Sequence, residues 1–377
     1  MPQWNVHFDM TVRTLNPRVV ELVANIRALA SVIRGIPIPP YVQNRLDSLN
    51  ISRAVRGTTG IEGTELSEEE VEQIMKADSG ESVLSRGRER EEQEARNAAR
   101  LMRDVAQHLN QDSRVPLSEA LVRRFHLILT GDIDYPHNEP GQYRTYPVSA
   151  GTYLPPETGD EVRNLMSAFI QWFNSGPPRG WAPIIRAIVA HFFVVSIHPF
   201  GDGNGRTSRA VESYLLYQAG INARGFYSLA NYYYRRRSEY VDMLDHIRFR
   251  SDPDLTPFVM FALEGLVEEL EAVHEEVLAE VRIIAFRDFA REALSVGDKL
   301  GNKVAQRQLR FLLGLTEEPV SLRELRSGMH RLSWLYRSVT TKTLMRDVDF
   351  LKSHDLILVD GDDLYANLAI MTRYTIG

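Results

Sequence analysis

Between Ile184 and Gln218 the chain sets an apolar run, a proline stop, three alternating glycines and a second helical stretch. The run Ile184 to Ile197 carries Arg186 and His191 and falls short of the roughly 20 residues that span a bilayer. It reads as a buried core helix. His198-Pro199 ends it, because proline cannot continue a helix. Gly201, Gly203 and Gly205 let the backbone turn tightly. The next helix begins near Asn204 or Gly205, so its unpaired N–H groups and positive dipole end face the loop, an arrangement that suits phosphate. Arg206 and Arg209 share a helix face beside it. Asp202 offers a hard oxygen ligand of the kind Mg²⁺ takes, and His198 can accept a proton near neutral pH. Phe200 reads as a core anchor for the loop. Alternating glycines alone are a weak signal. No Gly-Lys-Ser/Thr follows them and no strand precedes them, so neither a Walker loop nor a dinucleotide fingerprint is present.

Elsewhere helices dominate. The spacing predicts helices over Leu15–Ile33, Val42–Thr58, Ser82–Leu109, Pro116–Thr130, Glu161–Asn174, Pro183–Ile197, Asn204–Gln218, Tyr240–Ile247 and Pro257–Arg291. Ser67 with Glu70 forms a capping box. Between Gly131 and Pro156, glycine, proline, asparagine and tyrosine replace helical periodicity. Tyr143–Val148 and Thr152–Leu154 flank Ser149-Ala150-Gly151 as a short hairpin. After Leu294, helices over Lys303–Leu313, Ser321–Arg326 and Thr340–Ser353 precede strands Leu356–Val359 and Leu364–Leu368, the order of a winged helix. The expected fold is mainly α, in three regions: 1–110, a helical N-terminal part; 111–290, the part holding the glycine loop; 295–377, the winged-helix-like part.

Composition narrows the class. There are no cysteines among 377 residues, which removes thiolate chemistry and disulfides and fits a cytoplasmic protein. Met1 to Asn16 is polar and charged, unlike a signal peptide, and no membrane partner is expected. A net charge of −6 argues against a surface given over wholly to nucleic acid.

His198-Pro-Phe-Gly-Asp-Gly-Asn-Gly-Arg-Thr-Ser-Arg209 resembles the full signature of the Fic family, His-Pro-Phe-x-(Asp/Glu)-Gly-Asn-Gly-Arg-x-x-Arg, at every defined position. The likeness covers roughly Leu15 to Leu270. It implies a Fic-type helical bundle with a hairpin flap, and a protein adenylyltransferase that moves AMP from ATP to a Ser, Thr or Tyr hydroxyl of a target protein. By that resemblance His198 is the general base and Asp202 the Mg²⁺ ligand. Gly203, Asn204 and Gly205 bind phosphates, and Arg206 and Arg209 hold the β- and γ-phosphates. Thr207 and Ser208 lie within the same ATP-binding run. Gly141–Pro156 is the flap that pairs with an extended target segment, and Tyr240 lies against the adenine.

Thr58-Thr-Gly-Ile-Glu-Gly63 resembles the family's inhibitory pattern, (Ser/Thr)-x-x-x-Glu-(Gly/Asn). Glu62 is then expected to pair with Arg209 and contest the γ-phosphate. Thr64 stands where asparagine often follows the glycine. Two other activities are compatible with the same fold: removal of AMP or transfer of another phosphate-bearing group, and nucleotide sensing by a DNA-binding regulator. The winged helix holds 12 Lys or Arg and 10 Asp or Glu from Ser295 onward, and its turn Asp360-Gly-Asp-Asp363 is acidic. Protein docking is favoured over DNA for that part. Duplex DNA and a second copy of the chain remain candidate partners. Trp334-Leu335-Tyr336 is expected in its core.

Overall fold

The computed structural model describes residues 6–77, 81–108, 115–134, 139–221, 229–249, 252–295, 303–316 and 318–374. The chain divides into two compact units, Met1–His274 and Glu275–Gly377.

In the first unit α1 (Pro17–Gly35) and α2 (Pro40–Ile61) are followed by α3 (Glu68–Lys76) and α4 (Glu89–His108). Proline at the first turn of both α1 and α2 costs nothing, because those N–H groups have no helical partner. The capping box at α3 forms as expected, with the Ser67 hydroxyl accepting from the Glu70 N–H at 3.1 Å and the Glu70 carboxylate accepting from the Ser67 N–H at 2.9 Å. The expected helix from Ser82 begins only at Glu89. Ahead of it the Glu92 carboxylate accepts the N–H groups of Val83 and Leu84, and Gly87 takes a positive φ of 98°. Its expected last residue, Leu109, lies outside the described residues.

α5 (Glu119–Thr130) and α6 (Gly159–Ser175) flank the glycine- and proline-rich segment. α7 (Pro183–Ile197) and α8 (Asn204–Gln218) match their predicted bounds. Every residue from Ala187 to Ile197 is buried, which makes α7 the axis of the core. A helix apolar on all sides has only that option in water. α9 (Leu229–Arg235), α10 (Arg237–Arg248) and α11 (Thr256–Ser295) as far as His274 complete the helices of this unit, with α2 packed on α9.

The second unit is a winged helix. α12 (Lys303–Gly314) is followed by β1 (Val320–Ser321), α13 (Leu322–Ser327), α14 (Thr341–Ser353), β2 (Ile357–Asp360) and β3 (Asp363–Ala366). The antiparallel sheet runs β1-β3-β2. Asp360 pairs with Asp363, so Gly361-Asp362 is a two-residue turn, with Gly361 at φ 60°. Phe311, Leu325, Leu344, Leu351 and Leu364 line its own core. Trp334 is the exception to expectation: Leu335 and Tyr336 are buried, but Trp334 is 52% exposed. Arg331–Tyr336 is a 3₁₀ turn, whose period cannot put three successive residues inward. No helix among the described residues is long and apolar enough to cross a membrane.

Candidate active site

α7 ends in His198, which adopts the left-handed conformation at φ 52°, ψ 57°. That turn is strained for a residue with a Cβ, and other groups hold it there. Arg144 does most of this. It is 2% exposed, and its Nε donates to the His198 carbonyl at 2.8 Å. Its other nitrogens donate to the carbonyls of Tyr146 and Pro156, at 2.8 and 2.6 Å, and its backbone N–H to Pro199. One buried guanidinium thus ties both ends of the 141–156 segment to the loop. The expected hairpin there reduces to a single bridge, Ala150 with Tyr153. Side chains fix the segment instead, including the Tyr153 hydroxyl on the Ser196 carbonyl at 2.8 Å. Prolines 147, 155 and 156 and the spent N–H groups leave little for a strand ladder.

The His198 Nδ1 lies 3.1 Å from the Val195 carbonyl. A carbonyl only accepts, so Nδ1 carries the proton and Nε2 keeps its lone pair. Burial, aided by the cations Arg248 and Arg144, lowers the ring's pKa to about 4, against the Val195 bond that raises it. The imidazole is therefore neutral and set in the tautomer of a base.

Phe200 is fully buried, as expected, and its ring stacks on His126 at 3.7 Å. His126 was not singled out from the sequence. Its Nδ1 accepts from the Gly141 N–H at 2.9 Å and its Nε2 donates to the Asp202 carbonyl at 3.0 Å. Burial holds its pKa near 4 as well. Asn204 closes the loop on itself, its amide bonded to both the N–H and the carbonyl of Phe200 at 2.8 Å.

Gly203 caps α8 at φ 72°, and a Cβ there would press on Thr130. The N–H groups of Asn204, Gly205 and Arg206 then have no intrahelical acceptor. This cradle is narrower than the run expected from the signature. Thr207 and Ser208 are fully buried, the Thr207 N–H is taken by Gly203, and the Ser208 hydroxyl donates to the Gly205 carbonyl.

Glu62, at the C-terminus of α2, reaches this cradle. Its carboxylate lies where a Cβ on Gly205 would be. It accepts from Arg209 Nη2 at 2.6 Å. Arg209 is 1% exposed and also donates to the hydroxyl and carbonyl of Thr58, both at 2.9 Å. Burial by itself would raise the Glu62 pKa, but the adjacent Arg209 outweighs it and holds the carboxyl below its usual range. α2 gets close enough because Gly57 and Gly60 face α9: a Cβ on Gly57 would lie 2.8 Å from the Ala230 backbone, and one on Gly60 would overlap the Tyr234 ring.

Tyr240 lies against Arg209. It is 3% exposed, with its ring stacked on Tyr233 at 4.7 Å and its hydroxyl 2.9 Å from His191 Nε2. Asp202 stands at the rim and is 3.1 Å from Arg206 Nη2. Among the described residues no group of three or more His, Asp or Glu could hold a metal. One carboxylate suits a Mg²⁺ that arrives on a triphosphate, which needs only one or two protein ligands, and does not suit a resident ion.

A family model described as Fic/DOC family matches residues 116–216. The chain carries a Fic domain. The 198–209 loop, α7 and α8 as far as Leu216 lie inside that match. The chain is 27% identical over 277 residues to a protein adenylyltransferase Fic from Culex quinquefasciatus, covering 68% of this chain and 51% of that protein. It is 35% identical over 133 residues to one from Drosophila mojavensis, covering 35% of this chain and 24% of that protein. It spans about half the length of the relatives matched over 68% of it. A Fic family protein from Desulfovibrio desulfuricans G20 has the same fold over 97% of this chain and 98% of its own, with TM-score 0.54 and 21% identity. A Fic domain containing signaling protein from Bacteroides thetaiotaomicron matches over 69% of this chain and 97% of its own, with TM-score 0.53 and 18% identity.

Proposed function

We propose that this Fic protein transfers AMP from ATP to a Ser, Thr or Tyr hydroxyl of a target protein, and that Glu62 restrains it. The reading rests on one observation: Arg209 already holds a carboxylate beside the N-terminus of α8, and a neutral imidazole with a free Nε2 begins the same loop. An anion site and a base are the two requirements of nucleotidyl transfer. The N–H groups of residues 204–206 and the guanidinium groups of Arg206 and Arg209 would take phosphate oxygens. His198 Nε2 would accept the proton as the hydroxyl oxygen bonds the α-phosphorus and pyrophosphate leaves. Asp202 would hold Mg²⁺, which supplies charge neutralisation for the leaving phosphates. The 141–156 segment would lie beside an extended stretch of the target.

Glu62 and a γ-phosphate would compete for one guanidinium and one patch of helix N-terminus. The Glu62 side chain keeps 39% of its area exposed while Arg209 is 1% exposed, so the carboxylate can leave towards solvent but Arg209 needs an incoming phosphate in its place. Incubation with α-labelled ATP and Mg²⁺ tests both parts. Glu62→Gly should label itself or a target at least tenfold faster than the wild type. Arg209→Ala should not, and the double variant should follow Arg209→Ala, since the two groups touch. Equal labelling by wild type and Glu62→Gly would leave Glu62 a helix-end carboxylate and no brake.

A second reading for the winged helix, binding of duplex DNA, is favoured by one feature. A cavity of about 270 Å³ lies among Arg326, Arg337, Thr340 and Thr341 at the start of α14. Arg337, Lys342 and Arg346 are exposed and make no ion pair among the described residues. A salt-steep mobility shift, weakened in Arg346→Ala, is the expected result if phosphates bind there.

A further inference from the structure

The Fic loop does not hold Asp202 and Arg206 alone. Glu94, on α4 and 5% exposed, places Oε1 3.2 Å from Arg206 Nη1 and 3.0 Å from Arg90 Nε. Asp202 Oδ2 lies 3.1 Å from Arg206 Nη2 and 3.4 Å from Arg90 Nη2. Two cations and two carboxylates therefore alternate around a closed ring, half of it supplied by α4. The second oxygen of Glu94 accepts from the Thr64 hydroxyl at 3.2 Å, two residues beyond Glu62. The ring is thus joined to the end of α2 that carries the proposed brake.

Its members are not equally free to move. The Arg206 side chain is 2% exposed and that of Glu94 5%, so each would lose its partner inside the protein, which is costly. Arg90 keeps 46% of its side chain in solvent, and its contact with Asp202 is half-exposed. An incoming divalent cation needs the Asp202 oxygen that Arg90 and Arg206 share. Arg90 is the member that can yield it.

We propose that Arg90 and Glu94 are positioning residues for the cation-bearing nucleotide. Glu94 fixes the orientation of Arg206 and seats Arg90; Arg90 covers Asp202 until a divalent cation displaces it. The inference rests on the nucleotide reading above, and its test is a binding measurement in which no transfer occurs. The full chain with Glu62→Gly serves as parent. Mn²⁺ is titrated in the presence of the non-hydrolysable analogue AMP-PNP, and free Mn²⁺ is read by electron paramagnetic resonance.

Removing Arg90 with Arg90→Ala should tighten Mn²⁺ binding about 2- to 5-fold, the range for a half-exposed ion pair. The gain should shrink as salt is raised. Arg90→Lys keeps the charge and should stay within about twofold of the parent. Glu94→Gln should tighten Mn²⁺ as Arg90→Ala does, because Arg90 loses its seat. It should also weaken AMP-PNP measured without metal, because Arg206 is no longer oriented. The Arg90→Ala, Glu94→Gln double variant should gain no more for Mn²⁺ than either single change. Mn²⁺ affinity unchanged or reduced in Arg90→Ala would overturn the inference. That variant alone decides it if Glu94→Gln does not fold. A parent that binds neither Mn²⁺ nor AMP-PNP would overturn the nucleotide reading itself, a result distinct from binding that is indifferent to Arg90.

Discussion

The 198–209 loop and the 141–156 segment that lies against it are held by different means. The loop makes several bonds of its own, Asn204 bridging back to Phe200, Gly203 capping α8 and His198 bonding Val195, and Arg144 and His126 add bonds from outside to the carbonyls of His198 and Asp202. The segment has one backbone bridge and owes its place to side chains that reach other elements, chiefly Arg144 and Tyr153. A loop that makes several bonds of its own keeps more of its shape when neighbours change. A segment hung from a few side chains keeps its shape only while each of them stays.

That contrast can be broken at several points. The largest effect belongs to His198→Ala. It should fold with a melting temperature close to wild type and still bind ATP, while label transfer falls about 10²- to 10⁴-fold, the range for loss of a general base. Transfer at the wild-type rate would remove His198 from that role.

Arg144→Ala comes next and should act on both regions at once. It strands the carbonyls of His198, Tyr146 and Pro156 in a buried setting. Stability should fall by about 2–4 kcal/mol in denaturant titration, and limited proteolysis should open the 141–156 segment first. Cleavage at the wild-type rate there would mean that the single bridge suffices.

The pH dependence offers a smaller, graded test. His126 and His198 titrate near 4 when folded and near 6.5 when unfolded. Between those values the unfolded chain binds more protons, so their contribution to stability is full above pH 6.5 and is lost as pH falls towards 4. Denaturant midpoints of wild type and His126→Gln should therefore converge as pH drops through that window. Parallel curves would show that His126 is not held neutral by the fold.

The smallest effect is expected at the tip of the segment. Ser149 is exposed and makes no ladder bond, so Ser149→Ala should change stability by no more than about 0.5 kcal/mol. A larger loss would point to strand pairing that the single bridge does not display.

These regions also differ in how far sequence reveals them. The loop's residues are consecutive, so its bounds and the two helices that flank it are legible in the sequence. Glu62 was legible because its pattern includes both the acid and Thr58, each of which meets Arg209. Arg144, His126 and Glu94 were not, because each acts through a partner far along the chain: Arg144 meets His198 54 positions on, His126 meets Asp202 76 positions on, and Glu94 meets Arg206 on another helix. One signal was present. Buried arginines and histidines are uncommon, and His126 falls on the apolar face of an amphipathic helix beside Phe125 and Leu129. The hairpin failed for a related reason, since a two-residue period cannot show that side chains have replaced a ladder. Tyr240 was placed by analogy of position, and only packing shows that Tyr233 covers it.

The lack of a side chain at Gly205 has a further consequence. A side chain there would collide with Glu62, and the same space is what a phosphate would need. On the proposed reading the carboxylate is a tethered competitor, and a tether fixes its local concentration whatever the amount of protein in solution. Diluting the enzyme cannot relieve such a restraint, whereas raising the nucleotide can. The wild-type protein would then respond to ATP over a higher range than Glu62→Gly does, and the length of α2 between Gly60 and Glu62 would set where that range lies.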